Sequence, residues 1–139
     1  MYNLFKSLIT GALLLLIMHP ANAQIKMGVV SIPFKFDSYT VESKYLLLLD
    51  ALADTLKQHP HFSLKIYGFT DTTGTEEYNE MLAQKRIDNV YNYLNAKVPL
   101  TQKNTYTNAS GEFEERYDMH FPQAHVQERY VDIKISLGK

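Results

Sequence analysis

Residues 68–86 read GFTDTTGTEEYNEMLAQKR and cross three predicted kinds of structure. The segment begins at the end of a strand-like run, passes through a polar loop that contains Gly74, and enters a predicted helix. It places one acid, Asp71, in the loop and one base, Arg86, well inside the helix. Two interpretations are open: a structural ion pair, or a pocket for a molecule that carries both charges.

The elements on either side of this loop have clear periodicities. Residues 62–69 alternate between apolar and polar side chains, which is typical of a half-buried strand. The following helix is predicted over residues 76–96 because apolar residues recur at helical spacing. Its core face is formed by Ala83, Ile87, Val90 and Leu94. A second stripe, Asn79, Leu82 and Arg86, is expected at the edge of the core.

Outward from this unit, three strands and one helix complete the predicted fold. Residues 27–36 form a β-branched and aromatic strand in which Pro33 favours an edge position or a bulge. A helix over residues 41–58 begins after Thr40, a plausible N-cap. A short strand is predicted over 104–109, a long loop over 112–127 and a final strand over 129–137, with Val131, Ile133, Ile135 and Leu137 facing inward. The order β-α-β-α-β-β predicts an α+β two-layer sandwich in which two long helices cover one face of a small mixed sheet.

The N-terminal segment is predicted to be a secretory signal peptide over residues 1–23. It carries Lys6, an apolar run over 8–18 and a small-x-small sequence at 21–23. The alternative is an uncleaved membrane anchor. The remaining residues, 24–139, form one domain that we expect in the periplasm, with the cell wall and the outer membrane as candidate sites of association. The chain has no cysteine, so disulfides and lipid attachment through cysteine are excluded.

Charge and composition argue against several function classes. The chain has 14 basic and 15 acidic residues and no basic run, which disfavours nucleic acid as a partner. It has no G-x-S-x-G motif and no cysteine nucleophile, so we expect no enzyme activity and no cofactor. His120 and His125, with Asp118 and Glu115 nearby, leave a loop metal site conceivable, but solvated loop histidines are the favoured interpretation. No metal is therefore predicted.

Three blocks of sequence resemble the OmpA-like peptidoglycan-binding domain, which is shared by porin tails, peptidoglycan-associated lipoproteins and flagellar stator proteins. Residues 34–38, FKFDS, match the end of the family's first strand, and residues 128–133, ERYVDI, match its last strand. The central block matches G-H-T-D-x-x-G-x-x-x-Y-N-x-x-L-S-x-x-R. Its matching positions are Gly68, Thr70, Asp71, Gly74, Tyr78, Asn79, Leu82 and Arg86.

The resemblance implies a ligand and a set of binding residues. The family's ligand is the diaminopimelate residue of the peptidoglycan stem peptide, whose free end bears an ammonium and a carboxylate. By resemblance, Asp71 takes the ammonium and Arg86 the carboxylate, a division that suits an acceptor-only carboxylate and a planar guanidinium. The other implied ligand-binding residues are Phe36, Asp37, Thr70, Gly74, Asn79, Leu82 and Arg129.

Several alternatives stay open beside this interpretation. Thr70 and Gly74 are also ordinary turn residues, and Tyr78 and Leu82 suit a core or a pocket wall. Arg129 could instead be an edge-strand arginine that pairs with a neighbouring acid. The family's histidine, serine and second terminal arginine are Phe69, Ala83 and Tyr130 in this chain, and its usual asparagine is Glu128. A second function is therefore possible, in which the domain recruits an envelope protein without binding peptidoglycan.

The geometry adds one condition to the charge-clamp interpretation. Residues 76 and 86 are separated by about 15 Å along a helix axis, at 1.5 Å per residue. The loop 70–75 must therefore fold back along the second helix before Asp71 and Arg86 can share one ligand.

Overall fold

The computed structural model describes residues 26–70, 73–111 and 129–138. Its elements are β1 (Lys26–Pro33), α1 (Ser43–Lys57), β2 (Phe62–Phe69), α2 (Glu76–Asn95), β3 (Thr105–Gly111) and β4 (Tyr130–Leu137). The predicted signal peptide, Asp71, the 112–127 loop and the two loop histidines lie outside the described residues.

The four described strands form one mixed sheet in the order β1-β4-β2-β3. Strand β4 pairs antiparallel with both β1 and β2, whereas β2 and β3 are parallel and are joined through α2. The predicted α+β architecture is therefore confirmed, and so is the edge position of the strand that contains Pro33. Because β4 lies inside the sheet, the suggestion that Arg129 belongs to an edge strand is wrong.

Both helices pack on the same face of the sheet. Their buried side chains join one hydrophobic cluster with the inward residues of the strands, including Ile32, Leu64, Ile66 and Ile133. In α2 the buried residues are the two predicted stripes together: Asn79, Leu82, Ala83, Arg86, Ile87, Val90 and Leu94. Burying each large aliphatic side chain contributes about 1.5–3 kcal/mol, so this cluster is the main source of stability.

The start of α1 differs from the prediction. The helix begins at Ser43, its N-cap is Glu42, and no side chain caps it, so the proposed Thr40 cap is wrong. The reason lies in α2: Asn89 Nδ2 donates to the carbonyl of Tyr39 at 2.6 Å, and Arg86 Nε donates to that of Ser38 at 2.8 Å. These bonds hold the preceding chain against α2, and the helix begins only after it.

Strand β4 is also more buried than its alternation predicts. The inward residues Val131, Ile133, Ile135 and Leu137 are buried as expected, but Tyr130 and Asp132 on the other face are only 4% and 1% exposed. The Asp132 carboxylate accepts a hydrogen bond of 2.5 Å from Ser31 Oγ on β1. A polar residue on the outer face is therefore part of the strand pairing.

A polar cluster links the two helices outside the core. Tyr93 Oη donates to Asp50 Oδ1 at 2.7 Å, and Lys97 Nζ lies 2.9 Å from the same oxygen. The hydrogen bond from Tyr93, followed by that from Lys97, lowers the pKa of Asp50 below its ordinary 3.8. The same carboxylate raises the pKa of Lys97 above 10.5 and that of Tyr93 above 10.0.

We expect Asp50→Asn to lower the stability of the fold slightly and in a pH-dependent way. The carboxylate contributes above pH 3.8, and its contribution is lost as pH falls through the depressed pKa. Lys97 contributes below pH 10.5, and its contribution is lost as pH rises through its raised pKa. In urea unfolding, the free energy of unfolding of the variant should therefore be lower than that of the parent at neutral pH. The two free energies should be equal well below pH 3.8. An equal difference at every pH would contradict this role.

Gly68 marks a close approach between β2 and α2. A Cβ atom at this position would lie 2.7 Å from the Ala83 carbonyl oxygen and 2.9 Å from Ile87 Cγ1. Real Cβ atoms do not come this close, so the helix can pack here only against a glycine. The close approach seats the first half of α2 against the end of β2.

Gly68→Ala should therefore destabilise the fold by about 1–3 kcal/mol, the usual effect of overpacking. Gly28→Ala is the matched control, since it also adds a methyl group to a strand glycine but nothing lies within 4 Å of that Cβ position. Urea unfolding at low protein concentration compares the two. Equal changes of the free energy of unfolding in both variants would contradict the close contact between Gly68 and α2.

Candidate functional site

A small cavity lies where the end of β2 and the first half of α2 meet the chain that follows β1 and the residue that precedes β4. Its volume is about 20 Å³, comparable to the space of one water molecule. Its walls are Phe36, Asp37, Thr70, Thr73, Tyr78, Asn79, Leu82, Arg86 and Arg129. Seven of the nine residues that were predicted to bind ligand therefore line one cavity, although they come from three separate parts of the chain.

Arg86 is fully buried at the base of this cavity. Its Nε donates to the Ser38 carbonyl at 2.8 Å, Nη1 to the Phe69 carbonyl at 3.0 Å and Nη2 to the Lys35 carbonyl at 3.3 Å. Arg86 was expected at the edge of the core, and it lies in the cavity wall outside the hydrophobic cluster, although it is fully buried. Its guanidinium joins the segment before α1, the end of β2 and α2, and the same group brings a positive charge to the cavity.

The described part of the loop before α2 folds onto the first turns of that helix. Gly74 has a positive φ of 105°, and a Cβ atom there would lie 3.2 Å from Asn79 Oδ1. Thr75 is the N-cap, and its side chain accepts a hydrogen bond of 3.2 Å from the backbone N–H of Tyr78. Gly74 thus adjoins a cavity residue without being part of the wall. For residues 73–75 the path that the charge clamp requires is present.

The rim contains a contact that the sequence did not reveal. The hydroxyl of Tyr78 donates a hydrogen bond to Asp37 Oδ1, and this bond raises the pKa of Tyr78 above its ordinary 10.0. Asp37 has a φ of 51°, in the left-handed region where aspartate is among the tolerated residues. Tyr78 is 41% exposed, so it is a rim residue rather than a core residue.

The opposite part of the rim is aromatic and cationic. Phe36 is 61% exposed, and the guanidinium carbon of Arg129 lies 5.7 Å from the centre of its ring. The deeper walls combine apolar and polar groups, because Leu82, Asn79 and Thr70 are all buried. The cavity therefore has both polar and apolar groups in its walls, around a space of about one water molecule.

Two departures from the family pattern meet in the structure. Phe69 and Tyr130, which replace the family's histidine and second terminal arginine, pack with ring centres 4.8 Å apart. Both are buried. The two residues that depart from the family pattern therefore form a single apolar contact beside the cavity.

Neither a metal site nor a membrane span is found in the described residues. Residues 26–70, 73–111 and 129–138 contain no group of three histidine, cysteine, aspartate or glutamate side chains that could hold a metal ion. In the same ranges neither helix is long and apolar enough to cross a membrane.

The fold is that of a small α+β domain with a polar cavity beside α2, and comparison with known proteins places it in a family. The OmpA family model matches residues 33–129, so the chain belongs to the OmpA family. The peptidoglycan-associated lipoprotein of Pasteurella multocida is 45% identical over 64 residues, 46% of this chain and 43% of the relative. That of Legionella pneumophila is 34% identical over 99 residues, 71% of this chain and 56% of the relative. The chain thus spans about half the length of these curated relatives.

Solved structures agree with this assignment. The crystal structure of the peptidoglycan-associated lipoprotein from Burkholderia pseudomallei superposes with a TM-score of 0.66 at 33% identity, covering 76% of this chain and 88% of that one. The C-terminal domain of Helicobacter pylori MotB superposes equally well, with a TM-score of 0.66 at 18% identity over 80% of this chain and 87% of that one. The second likeness concerns the fold alone.

Because Arg86 donates to three main-chain carbonyls, of which that of Lys35 also accepts from the Ser38 N–H, we expect Arg86→Met to destabilise the fold by about 2 kcal/mol or more, since an orphaned buried acceptor costs about 1–3 kcal/mol. Lys85→Met is the matched control, because it removes a neighbouring but exposed cation from α2. Its ammonium lies 5.1 Å from the centre of the Tyr39 ring, so the free energy of unfolding should change by less than about 1 kcal/mol. Urea unfolding measures both. Equal stability of the two variants would contradict the structural role of Arg86.

Proposed function

We propose that this chain is a non-catalytic peptidoglycan-binding protein of the periplasm. The proposed ligand is the zwitterionic end of diaminopimelate in the stem peptide. The observation that carries the proposal is the buried guanidinium of Arg86 in the wall of a cavity shared with six other nominated residues. Membership of the OmpA family and relatives named peptidoglycan-associated lipoprotein support it. The predicted signal peptide supports export to the periplasm.

The charges of the site suit a ligand end that bears a carboxylate. Arg86 at the base and Arg129 at the rim are both cations, and Arg86 is screened from water. A charge in such a setting attracts a carboxylate more strongly than an exposed charge does. Asp37 is the cavity's acid, but it accepts the Tyr78 hydroxyl proton in a hydrogen bond. A second acid would leave that hydrogen bond intact when an ammonium binds.

Asp71 is the acid that we propose for the ammonium. It directly follows Thr70, a buried residue of the cavity wall, and it precedes Thr73, which also lines the cavity. Two opposite charges at a fixed separation select a zwitterion over a simple acid or a simple amine. The methylene chain of the ligand would then lie along Leu82.

The present cavity, about 20 Å³, is too small for an amino-acid end group, so binding requires the rim to open. Phe36 and Tyr78 are the exposed rim residues, at 61% and 41%. Their side chains can move without disturbing the core. The Tyr78–Asp37 hydrogen bond is then the contact that a ligand must displace or incorporate.

The test is a thermal-shift titration with small ligands, combined with co-sedimentation with purified sacculi. Diaminopimelate should raise Tm, because a ligand that binds only the native state at 100-fold excess over Kd adds about 2.7 kcal/mol of stability. Cadaverine lacks both carboxylates and pimelate lacks both ammonium groups, so neither has a zwitterionic end and neither should shift Tm comparably. Sacculi that contain diaminopimelate should sediment the protein.

Asp71→Asn is the decisive variant, because it removes the proposed ammonium partner while keeping the shape of the side chain. It should lose both sacculus binding and the Tm shift, whereas Asp88→Asn, an exposed acid on α2 that accepts a hydrogen bond from Gln84, should keep both. Arg86 variants are unsuitable here, since their loss of fold would mimic loss of binding. Full sacculus binding by Asp71→Asn would refute the charge clamp.

A further inference from the structure

Strand β1 has an outer edge on which no described strand pairs. Sheet edges in soluble proteins are commonly protected by charged side chains, bulges or short length. Strand β1 is eight residues long, pairs with β4 without a register shift, and has no charged residue from Met27 to Pro33. The long, regular and uncharged edge indicates an interaction surface.

One hydrogen bond determines which backbone groups face outward. The N–H of Phe34 donates to the Arg129 carbonyl at 2.7 Å, so Phe34 points its backbone groups toward the chain of β4. Because strand geometry alternates, Ile32, Val30 and Gly28 do the same. The N–H and C=O groups of Met27, Val29 and Ser31 therefore face the open edge. The backbone of Pro33 also faces the open edge, but proline has no N–H to donate. The row of outward hydrogen-bond donors therefore ends at Ser31.

An apolar groove lies beside this edge, between α1 and the sheet. Its volume is about 300 Å³, and it is lined by Gly28, Val30, Leu48, Ala51, Leu52, Thr55, Ile135 and Leu137. Leu47 and Leu48 on α1 are 73% and 42% exposed. Nothing lies within 4 Å of the Cβ position of Gly28. The groove is therefore open space beside a strand that can accept hydrogen bonds.

We propose that a second copy of this chain pairs its β1 antiparallel with this edge, about a two-fold axis at Val29. Residues that lie opposite each other in a strand pair point their side chains to the same face of the sheet. The helix-facing side chains of both copies therefore share one face only when even-numbered residues lie opposite even-numbered residues. With Val29 opposite Val29 of the second copy, Met27 of each copy lies opposite Ser31 of the other. All outward groups of these three residues are then paired, and Pro33 stays outside the ladder. A register centred on Ser31 would place Pro33 opposite Val29 and lose a donor.

The same register fills the groove. It places Val30 of one copy opposite Gly28 of the other, so that the isopropyl group lies over the open space at the glycine. Adjacent strands are about 4.8 Å apart. Since α1 lies above β1 and β4, the two α1 helices would be close to the separation of about 8–10 Å at which helices pack. Leu48 of both copies, which lines the groove, would then cover the seam.

This fit favours a second copy over an unrelated strand, because the residue that fills the gap at Gly28 is supplied by the same sequence two positions later. The proposal is independent of the proposed ligand site. It concerns the opposite side of the domain from α2 and uses none of the cavity residues.

The first test is sedimentation equilibrium of the purified chain over a range of concentrations, where we expect a reversible monomer–dimer equilibrium. Val29→Glu should shift it to monomer, because two carboxylates would face each other at the axis. In the monomer this glutamate would sit opposite Lys134, so the fold should persist. Tyr106→Glu is the matched control: it is an equally exposed edge-strand position, opposite Lys65, and should leave the equilibrium unchanged.

A charge exchange tests the register itself. Val29→Glu and Val29→Lys should each be monomeric alone, but an equimolar mixture should form a one-to-one dimer, since opposite charges then meet at the axis. A monomeric wild type at the highest soluble concentration would overturn the proposal. So would a dimer that Val29→Glu does not weaken, or a mixture that stays monomeric.

A cysteine variant gives an independent readout, because the chain has no native cysteine. Paired residues at the axis would have Cα atoms about 5.5 Å apart, within the range of a disulfide. Val29→Cys should therefore become a covalent dimer on mild oxidation, and Tyr106→Cys should not. Equal crosslinking of both variants would show random collision and would overturn the assigned interface.

Discussion

The structure depends on one side chain, the guanidinium of Arg86, and on its hydrogen bonds to three main-chain oxygens. A buried charge is tolerated only when it is well bonded, and these carbonyls come from two segments that are distant in sequence. The arginine therefore fixes the chain between β1 and α1 and the end of β2 against α2. The core and the cavity share this residue and form one cooperative unit.

This shared role has a consequence for recognition. In the proposed function, the group that attracts a carboxylate is ordered when the protein folds, so its immobilisation is not repeated when the ligand binds. The movable parts are the exposed rim residues Phe36 and Tyr78. A rigid base and a mobile rim divide the site into a part that selects charge and a part that controls entry.

The regular elements could be read from the sequence because their signals are local. Strand β2 has the predicted bounds, and α2 ends one residue early, since period-2 and period-3.6 patterns lie within each segment. The start of α1 was missed because its cause, the bond from Asn89 to the Tyr39 carbonyl, spans 50 residues. For the same reason no local pattern indicated the Tyr78–Asp37 bond, 41 residues apart, or the burial of Asp132.

The departures from the family pattern follow from the kind of bonds that Arg86 makes. All three acceptors are main-chain oxygens, which any residue supplies. Phe69 can therefore replace a histidine and still offer its carbonyl to Nη1, while its ring packs against Tyr130. The residues at these two positions can change as a pair, provided that the backbone at 69 stays in place. The arginine has no such freedom, because no other side chain has three nitrogens in one plane to reach all three carbonyls.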